Sequence, residues 1–201
     1  MRAPALALCA LLLGVGGCAA MPKLDHARQA DANWARRAKA LSRIDTFSLQ
    51  ARVASGGLFG ASGDLDWQQQ GEAFDLRFSG PFGVGGIEIA GTVEDVQVRT
   101  RKNTYRTEDP DAFLRQKLGL NLPVSGLRYW VLGVPSPHSD ADLILDAGGR
   151  AEQLVQDGWT LRYETYETIA GLSLPTRFEI NGGRTRFKVV VDRWSGVTTG
   201  G

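Results

Sequence analysis

The sequence predicts an α+β fold, in which one antiparallel sheet of about ten or eleven strands is accompanied by about three helices. Apolar and polar residues alternate along most of the chain, which is typical of strands with one buried face. Successive strand segments are joined by short connections, as in antiparallel sheets. The alternation gives way to helical spacing before the first strand and again in the middle of the chain.

The first residues have the pattern of a bacterial lipoprotein signal. Arg2 precedes the apolar run 5–15, which is shorter than the stretch of about 20 residues that a membrane-spanning helix needs. Small residues directly before Cys18 resemble a lipobox, in which the cysteine becomes the acylated first residue of the mature chain. The alternative is a plain signal peptide followed by an incidental cysteine.

This pattern divides the chain and predicts its location. We expect residues 1–17 to be a removed signal, residues 18–26 to form a tether from acylated Cys18, and residues 27–201 to form a single domain. Two or more acyl chains hold a protein on a membrane, whereas one chain anchors it only reversibly. An alanine follows Cys18, where aspartate tends to retain lipoproteins at the inner membrane. We therefore expect the periplasmic face of the outer membrane.

Charge and cysteine content narrow the classes of partner. Loss of the signal removes Arg2 from the 23 basic residues, which leaves 22 against 22 acidic residues. This balance gives no reason to expect nucleic acid as a partner. Cys9 lies in the signal, so the mature chain keeps only Cys18 and forms no internal disulfide.

The first predicted element of the domain is an amphipathic helix over 27–44. Its apolar stripe consists of Ala30, Trp34, Ala38 and Leu41, at spacings that place them on one helix face. The helix either covers the sheet as part of a lid or docks on the edge of the domain. Both arrangements require Trp34 to be buried.

Strands with tight connections follow the helix. Phe47, Leu49, Ala51 and Val53 alternate with polar residues, and a loop that begins with two glycines contains Leu58 and Phe59. Later segments predict further strands over 63–69, 92–100 and 103–107.

A bulky aromatic residue lies at the tip of one predicted hairpin. Strand patterns occur over 74–79 and 87–91, and the turn between them contains Pro81, Phe82 and Gly83. Hairpin tips usually carry small polar residues because they project into water. Phe82 therefore either folds back under the sheet or contacts another apolar phase.

Two short helices interrupt the strands. Asp109 and Pro110 predict a helix start, and Gly119 predicts its end. A second helix is predicted over 125–132, where Leu127, Trp130 and Val131 share an apolar face. Strand patterns then return over 141–146, 151–156, 159–166, 174–180 and 184–191, with hairpin turns at 157–158 and 182–183.

Side chains that could carry catalysis are sparse. His26 and His138 have no neighbouring histidine, cysteine or paired carboxylate at metal-ligand spacing. The glycines at 83–86 precede a strand and lack the following lysine of a phosphate-binding loop. Two aspartate pairs, at 64 and 66 and at 140 and 142, fit the solvent face of strands. The sequence therefore predicts no enzyme, no metal site and no cofactor.

Several stretches, in this order, resemble the LolB family of outer-membrane lipoprotein receptors. They are the lipobox at Cys18, Trp67-Gln68-Gln69, Pro81-Phe82-Gly83 after a strand, the segment 127–135 (LRYWVLGVP) and Asp192-Arg193-Trp194. The segment 127–135 is the most specific of them, since many lipoproteins carry a lipobox. The resemblance covers nearly the whole mature chain.

The resemblance implies an unclosed, strongly curved barrel with an apolar cavity for acyl chains, covered by helices. It also implies a monomeric receptor that accepts client lipoproteins from a soluble, LolA-like periplasmic carrier and inserts them into outer-membrane lipid. The loop Pro81-Phe82-Gly83 would enter the membrane, with phenylalanine where the family leads us to expect leucine. The candidates for the cavity and its lid are Trp34, Leu58, Phe59, Leu127 and Trp130, each of which could equally fill a core.

Two rival functions share these sequence features. One is a generic lipoprotein that binds acyl chains or other hydrophobic ligands and has no transfer role. The other is a structural outer-membrane lipoprotein with a filled core. A transfer protein differs from both because it takes a lipoprotein from a soluble carrier. Arg128, beside an aromatic face, could extend to solvent or pair with an acid.

Overall fold

The computed structural model describes residues 22–56, 62–80, 86–92 and 94–200. Within these ranges three helices and eleven strands follow one another in the order predicted from the sequence. Their bounds are α1 (Pro22–Leu41), β1 (Ile44–Gly56), β2 (Ser62–Gln70), β3 (Ala73–Ser79), β4 (Ile87–Thr92), β5 (Asp95–Thr100), β6 (Thr104–Thr107), α2 (Pro110–Leu118), α3 (Val124–Trp130), β7 (Ala141–Leu145), β8 (Ala151–Gln156), β9 (Trp159–Ile169), β10 (Leu172–Gly182) and β11 (Thr185–Thr199).

All eleven strands form one antiparallel sheet, which confirms the predicted fold class. Its order is β6-β5-β4-β3-β2-β1-β11-β10-β9-β8-β7. The first and last strands, β1 and β11, pair with each other in the middle of the sheet. Strands β6 and β7 are consecutive along the chain but form the two opposite edges, so the sheet is unclosed and the segment with α2 and α3 connects its edges.

Contacts of α2 and α3 show that the sheet is strongly curved. Nine strand spacings separate β6 from β8, which is about 43 Å in a flat sheet. The ring of Phe113 in α2 packs on β6, whereas Trp130 in α3 donates a hydrogen bond to Gln156 of β8. The helices are joined by the hydrogen bond from Ser125 to Asp111, and Ser125 is about 8 Å of helix from Trp130. The edges therefore lie much closer together than in a flat sheet.

The concave face of the sheet carries the hydrophobic core. Buried residues of β1, β2, β5, β8 and β10 join Leu114 of α2 and Trp130 of α3 in one cluster. The convex face is polar and carries cross-strand ion pairs, such as Arg52 with Asp192 at 2.9 Å and Lys188 with Glu179 at 2.9 Å. Exposed pairs of this kind contribute little stability, so apolar burial on the concave face is the main stabilising term.

Helix α1 differs from its prediction in extent. It begins at Pro22 rather than at residue 27 and ends at Leu41, because β1 already starts at Ile44. Part of the predicted tether is therefore helical. The apolar stripe did not mark this first turn, because residues 22–26 carry only Leu24 between polar residues and a proline.

Helix α1 docks on the edge of the domain, the second of the two predicted arrangements. It contacts edge strand β7, and a side chain at Gly149 would clash with the backbone oxygen of Ala30. Arg37 donates a hydrogen bond to the carbonyl oxygen of Ser173 at the start of β10. Trp34, which both arrangements expected to be buried, is half-buried and packs against the core cluster.

Candidate functional site

The concave face is sealed at one end of the sheet and open at the other. At the sealed end, Phe47, Leu49, Trp67, Leu76 and Ile89 are between 1% and 5% exposed. At the other end, the inward-facing apolar side chains are only half-buried. We call this half-buried set the apolar mouth; strand pairing places its members on the same face as the core, and they are Val53, Leu65, Phe78, Ile87 and Phe187.

The apolar mouth lies at the end of the sheet where two predicted functional loops begin. Phe78 pairs with Ile87 at the open end of the β3–β4 hairpin, directly before residues 81–85. Val53 pairs with Gly63 next to the β1–β2 connection, which contains residues 57–61. Leu58, Phe59, Pro81, Phe82 and Gly83 belong to these two connections and lie outside the described residues, as does Cys18.

Helix α2 forms as its end signals predict. The carboxylate of Asp109 accepts a hydrogen bond from the Ala112 amide at 2.9 Å, and Pro110 occupies the first turn. Gly119 ends the helix in the left-handed conformation. These local signals fix the helix at the β6 edge, where Phe113 packs against Tyr105 with ring centroids 5.1 Å apart.

Helix α3 is fixed to the sheet at its C-terminal end. Trp130, which is 1% exposed, donates from its indole Nε1 to Oε1 of Gln156 at 2.7 Å. The hydroxyl of Tyr163 donates to the Trp130 carbonyl oxygen at 2.8 Å. These two bonds tie the end of α3 to β8 and β9.

The remainder of the helical segment is held less tightly. A group of its apolar side chains packs against the core but keeps part of its surface in solvent. This group consists of Phe113, Leu118, Leu120, Leu122, Leu127 and Tyr129. The α2–α3 segment therefore presents a continuous, half-buried apolar surface to the concave face of the sheet.

The α2–α3 junction contains a carboxyl group with a perturbed pKa. Asp111 accepts hydrogen bonds from the backbone amide of Ser125 at 3.2 Å and from its hydroxyl at 2.6 Å. Burial raises the pKa of Asp111 above its usual range, although the hydrogen bonds from Ser125 oppose this effect. The two helices are thus joined through a group whose charged form is disfavoured by its surroundings.

The predicted cavity and lid residues lie at separate places in the fold. Trp34 is on α1 at the domain edge, Leu127 is half-buried on α3, and Trp130 is packed in the core. Two clefts of about 500 and 510 Å³ are present, and neither is lined by Leu127 or Trp130. In this conformation the space beneath the end of α3 is occupied by the Trp130 side chain and its neighbours.

Sequence reasoning missed Gln156. Its side chain is 2% exposed and accepts from the Trp130 indole and from the Ser136 amide at 2.8 Å. It also donates to the carbonyl oxygens of Ser136 and Ser139 at 2.8 and 2.9 Å. The available signal was its position two residues after Leu154, on the buried face of β8. Arg128 takes neither predicted role, since its guanidinium lies 5.7 Å from the centre of the Tyr129 ring.

Chemical features of other site classes were also sought. Among the described residues there is no group of histidine, cysteine, aspartate or glutamate side chains that could hold a metal ion. No helix in the described ranges has both the length and the hydropathy required to span a bilayer. The aspartates at 64, 66, 140 and 142 are exposed, as predicted.

The unclosed, curved sheet with helices on its concave side defines a protein of the LolA/LolB fold class. A solved LolA superfamily protein from Nitrosomonas europaea shares this fold with a TM-score of 0.52 and 12% identity, over 83% of this chain and 93% of that one. The family model described as "Outer membrane lipoprotein LolB" matches residues 45–194. The chain belongs to the LolB family.

Individual relatives support the same assignment. The chain is 35% identical to the outer-membrane lipoprotein LolB of Pseudomonas paraeruginosa, over 92% of this chain and 91% of that protein. It is 33% identical to the LolB of Chromohalobacter salexigens, over 94% and 87% respectively, and 32% identical to that of Nitrosococcus oceani, over 91% and 92%. This confirms the expected location in the outer membrane.

Proposed function

We propose that this protein accepts lipoproteins from a soluble, LolA-like periplasmic carrier, shields their acyl chains on the concave side of its sheet and inserts them into the outer membrane. The observation that supports this most directly is the apolar mouth, an inward apolar surface left half-buried where loops 57–61 and 81–85 begin. A protein with a purely structural role gains nothing from incomplete burial at one end of its core.

The physical task is to move acyl chains through water. Exposing a long acyl chain costs on the order of 12 kcal/mol, at about 0.8 kcal/mol per methylene. An apolar surface that covers the chain lowers this barrier without changing the free energies of the two endpoints. The sequence carries no nucleotide-binding motif, so transfer runs downhill from the carrier to this protein and then to the bilayer.

Acyl chains enter by displacement of the α2–α3 segment from the sheet. The C-terminal end of α3 is tied to β8 and β9 through Trp130, whereas α2 and its connection to α3 contribute half-buried side chains such as Leu118 and Leu122. We therefore place the hinge near Trp130 and the moving part at α2. Methylene groups of the ligand then replace the contacts that α2 loses.

Two elements outside the described residues complete the proposal. Acylated Cys18 anchors the protein, and Phe82 contacts the bilayer during release. Burial of one phenylalanine contributes only about 1.5–3 kcal/mol, which is enough to orient the protein and too little to anchor it. The apolar mouth at the same end of the sheet then faces the membrane that receives the client.

An acyl-chain titration tests the first part of this proposal. The mature chain with Cys18→Ser is titrated with a fluorophore that carries a palmitoyl tail, and we expect saturable binding. Leu65→Glu places a charge in the apolar mouth and should weaken binding at least tenfold, because a desolvated carboxylate opposes an acyl chain. Gln68→Glu, on the exposed face of the same strand, is the control and should bind normally. No binding by the unsubstituted chain, or equal losses in both variants, would contradict the proposal.

A further inference from the structure

A basic cleft lies where α1 crosses two turns of the sheet, away from the apolar mouth. The 146–150 turn and the β9–β10 turn approach the last third of α1 and enclose about 510 Å³. The close approach is possible because residue 149 is a glycine; a β-carbon there would lie 2.6 Å from the Ala30 carbonyl oxygen. The cleft is lined by Arg36, Arg37, Gly148, Arg150, Gly171, Leu172 and Ser173.

Positive charge exceeds negative charge in this cleft. Three guanidinium groups line it, and Asp146 is the carboxylate that acts on Arg37. Asp146 is already engaged by Arg150, with Nε 2.7 Å from Oδ2, and by the backbone amides of Gly148 and Arg150 at 2.9 Å. Its charge is therefore used in holding the 146–150 turn, and Arg36 and Arg37 keep no carboxylate partner among the ion pairs of the described residues.

Arg37 is held in place but is incompletely satisfied. Its guanidinium carbon lies 5.1 Å from the centre of the Tyr166 ring, and the same ring has the Arg150 guanidinium at 5.2 Å. The Tyr166 hydroxyl donates to the Ala151 carbonyl oxygen at 2.6 Å, which fixes the ring. The Nε of Arg37 is buried and has no hydrogen-bond partner among the described residues. A buried N–H group without an acceptor is unfavourable, and an added acceptor would remove this cost.

We propose that Arg36, Arg37 and Arg150 bind a phosphate-type oxyanion in this cleft. Arginine suits such a ligand because its planar fork of N–H donors matches the oxygens of phosphate. Two of the three guanidinium groups are positioned in advance by the Tyr166 ring, and Arg37 Nε supplies a donor that lacks an acceptor. The small residues Gly148 and Gly171 leave room for the anion beside the arginines.

Phospholipid headgroups are the phosphate source nearest to this cleft. The chain from Cys18 to Pro22 spans at most about 14 Å, and α1 from Pro22 to Arg37 rises about 22 Å. The cleft therefore lies within reach of the bilayer surface to which Cys18 is attached. This choice of source rests on the acylation of Cys18 in the proposed function, whereas the anion site itself does not. Headgroup binding would orient α1 relative to the membrane.

The test follows the Arg37 Nε–H signal by NMR in the mature lipoprotein, held in neutral phosphatidylcholine nanodiscs. Inorganic phosphate should shift this signal saturably. Arg37→Gln and Arg36→Gln should each weaken phosphate binding at least tenfold, as followed by calorimetry. Arg28→Gln, at an exposed position of the same helix, is the control and should bind as the unsubstituted protein does. Arg36 is also exposed, so its variant keeps the test valid if Arg37→Gln does not fold.

The lipid arm identifies the source of the anion. Nanodiscs that contain phosphatidylglycerol should weaken the binding of inorganic phosphate and shift the Arg37 signal themselves. Phosphate binding without an effect of phosphatidylglycerol supports the site and overturns the headgroup as its ligand. Absence of phosphate binding, or equal binding by the three variants, overturns the site. Lipoprotein transfer is measured separately, so failure here leaves the proposed function standing.

Discussion

Gln156 shows how a single polar residue can hold a helix in place. Its amide group satisfies the Trp130 indole, the Ser136 amide and two carbonyl oxygens in a site where it is 2% exposed. Because both the donor and the acceptor of the amide are used, an apolar residue of similar size cannot replace it. The end of α3 therefore depends on a residue that a hydrophobic pattern does not reveal.

Replacement of Gln156 should destabilise the protein substantially. Gln156→Leu leaves the Trp130 and Ser136 N–H groups buried without acceptors, at about 1–3 kcal/mol for each. We expect the free energy of unfolding to fall by about 2–4 kcal/mol, measured by urea denaturation with tryptophan fluorescence. Gln68→Leu, on the exposed face of β2, is the matched control and should change stability by less than about 0.5 kcal/mol. Equal effects of the two variants would show that the Gln156 hydrogen bonds do not stabilise the fold.

Asp111 makes the α2–α3 junction sensitive to pH. Burial raises its pKa above the ordinary value of 3.8, so the folded state binds a proton more tightly than the unfolded state does. The stability from this group is present below pH 3.8 and is lost as the pH rises through the higher pKa of the folded state.

This sign gives a measurable expectation for Asp111→Asn, which keeps an acceptor for Ser125 but cannot ionise. The stability of the variant relative to the unsubstituted protein should increase as the pH rises above 3.8, and then level off above the pKa of the folded state. Urea denaturation across this range provides the values, and Asp109→Asn in the same turn serves as a comparison. A relative stability that falls with rising pH would contradict the assigned direction of the pKa shift.

At the scale of elements, α1 docks through a close backbone approach rather than through a wide apolar face. Gly149 has a φ of +76° and lies against the backbone of α1. Gly158 has nearly the same φ, +77°, with nothing within 4 Å of an added β-carbon. The two glycines thus separate backbone strain from steric contact.

Gly149→Ala should therefore cost more than Gly158→Ala. Left-handed strain costs both variants about 1–2 kcal/mol, and steric overlap with α1 adds about 1–3 kcal/mol at position 149. Urea denaturation gives the difference, and hydrogen exchange of α1 amides should increase in Gly149→Ala alone. Equal stability losses with unchanged exchange would show that the 146–150 turn does not hold α1.

The connections of the helical segment explain why this fold needs both edges of its sheet. Strands β6 and β7 are joined by α2 and α3, so the helices that cover the concave face also bring the two edges together. Displacement of α2 leaves the ladder of eleven strands intact, because its backbone hydrogen bonds lie within the sheet. The sheet can thus remain rigid while the covering segment moves.

For the whole molecule, the sequence predicted the antiparallel sheet because one face of each strand is apolar, as at Phe47, Leu49 and Ala51. The turn Asp157-Gly158 was also predictable, since both residues tolerate positive φ. The turn at Ala170 and Gly171 was not, because alanine rarely adopts the φ of 49° that it has here.

The site was less predictable than the fold. Helical spacing placed Trp130 on an apolar face of α3 but could not distinguish a core side chain from one that lines a cavity. The apolar mouth also has no signature in the sequence, because Val53 and Leu65 continue the same alternation as Leu49 and Trp67. Their incomplete burial depends on where the covering helices end, which is a property of the tertiary structure.

The account rests on delivery of lipoproteins to a membrane through the loop that contains Phe82. The most direct test measures transfer of an acylated lipoprotein from a LolA-like carrier to liposomes by the mature protein. The unsubstituted protein and Phe82→Leu should accept the client and release it to the liposomes. Phe82→Glu should accept it, retain thermal stability within a few degrees and release it at least tenfold more slowly. Failure of the unsubstituted protein to accept the client, or a large loss of thermal stability in Phe82→Glu, would contradict the account.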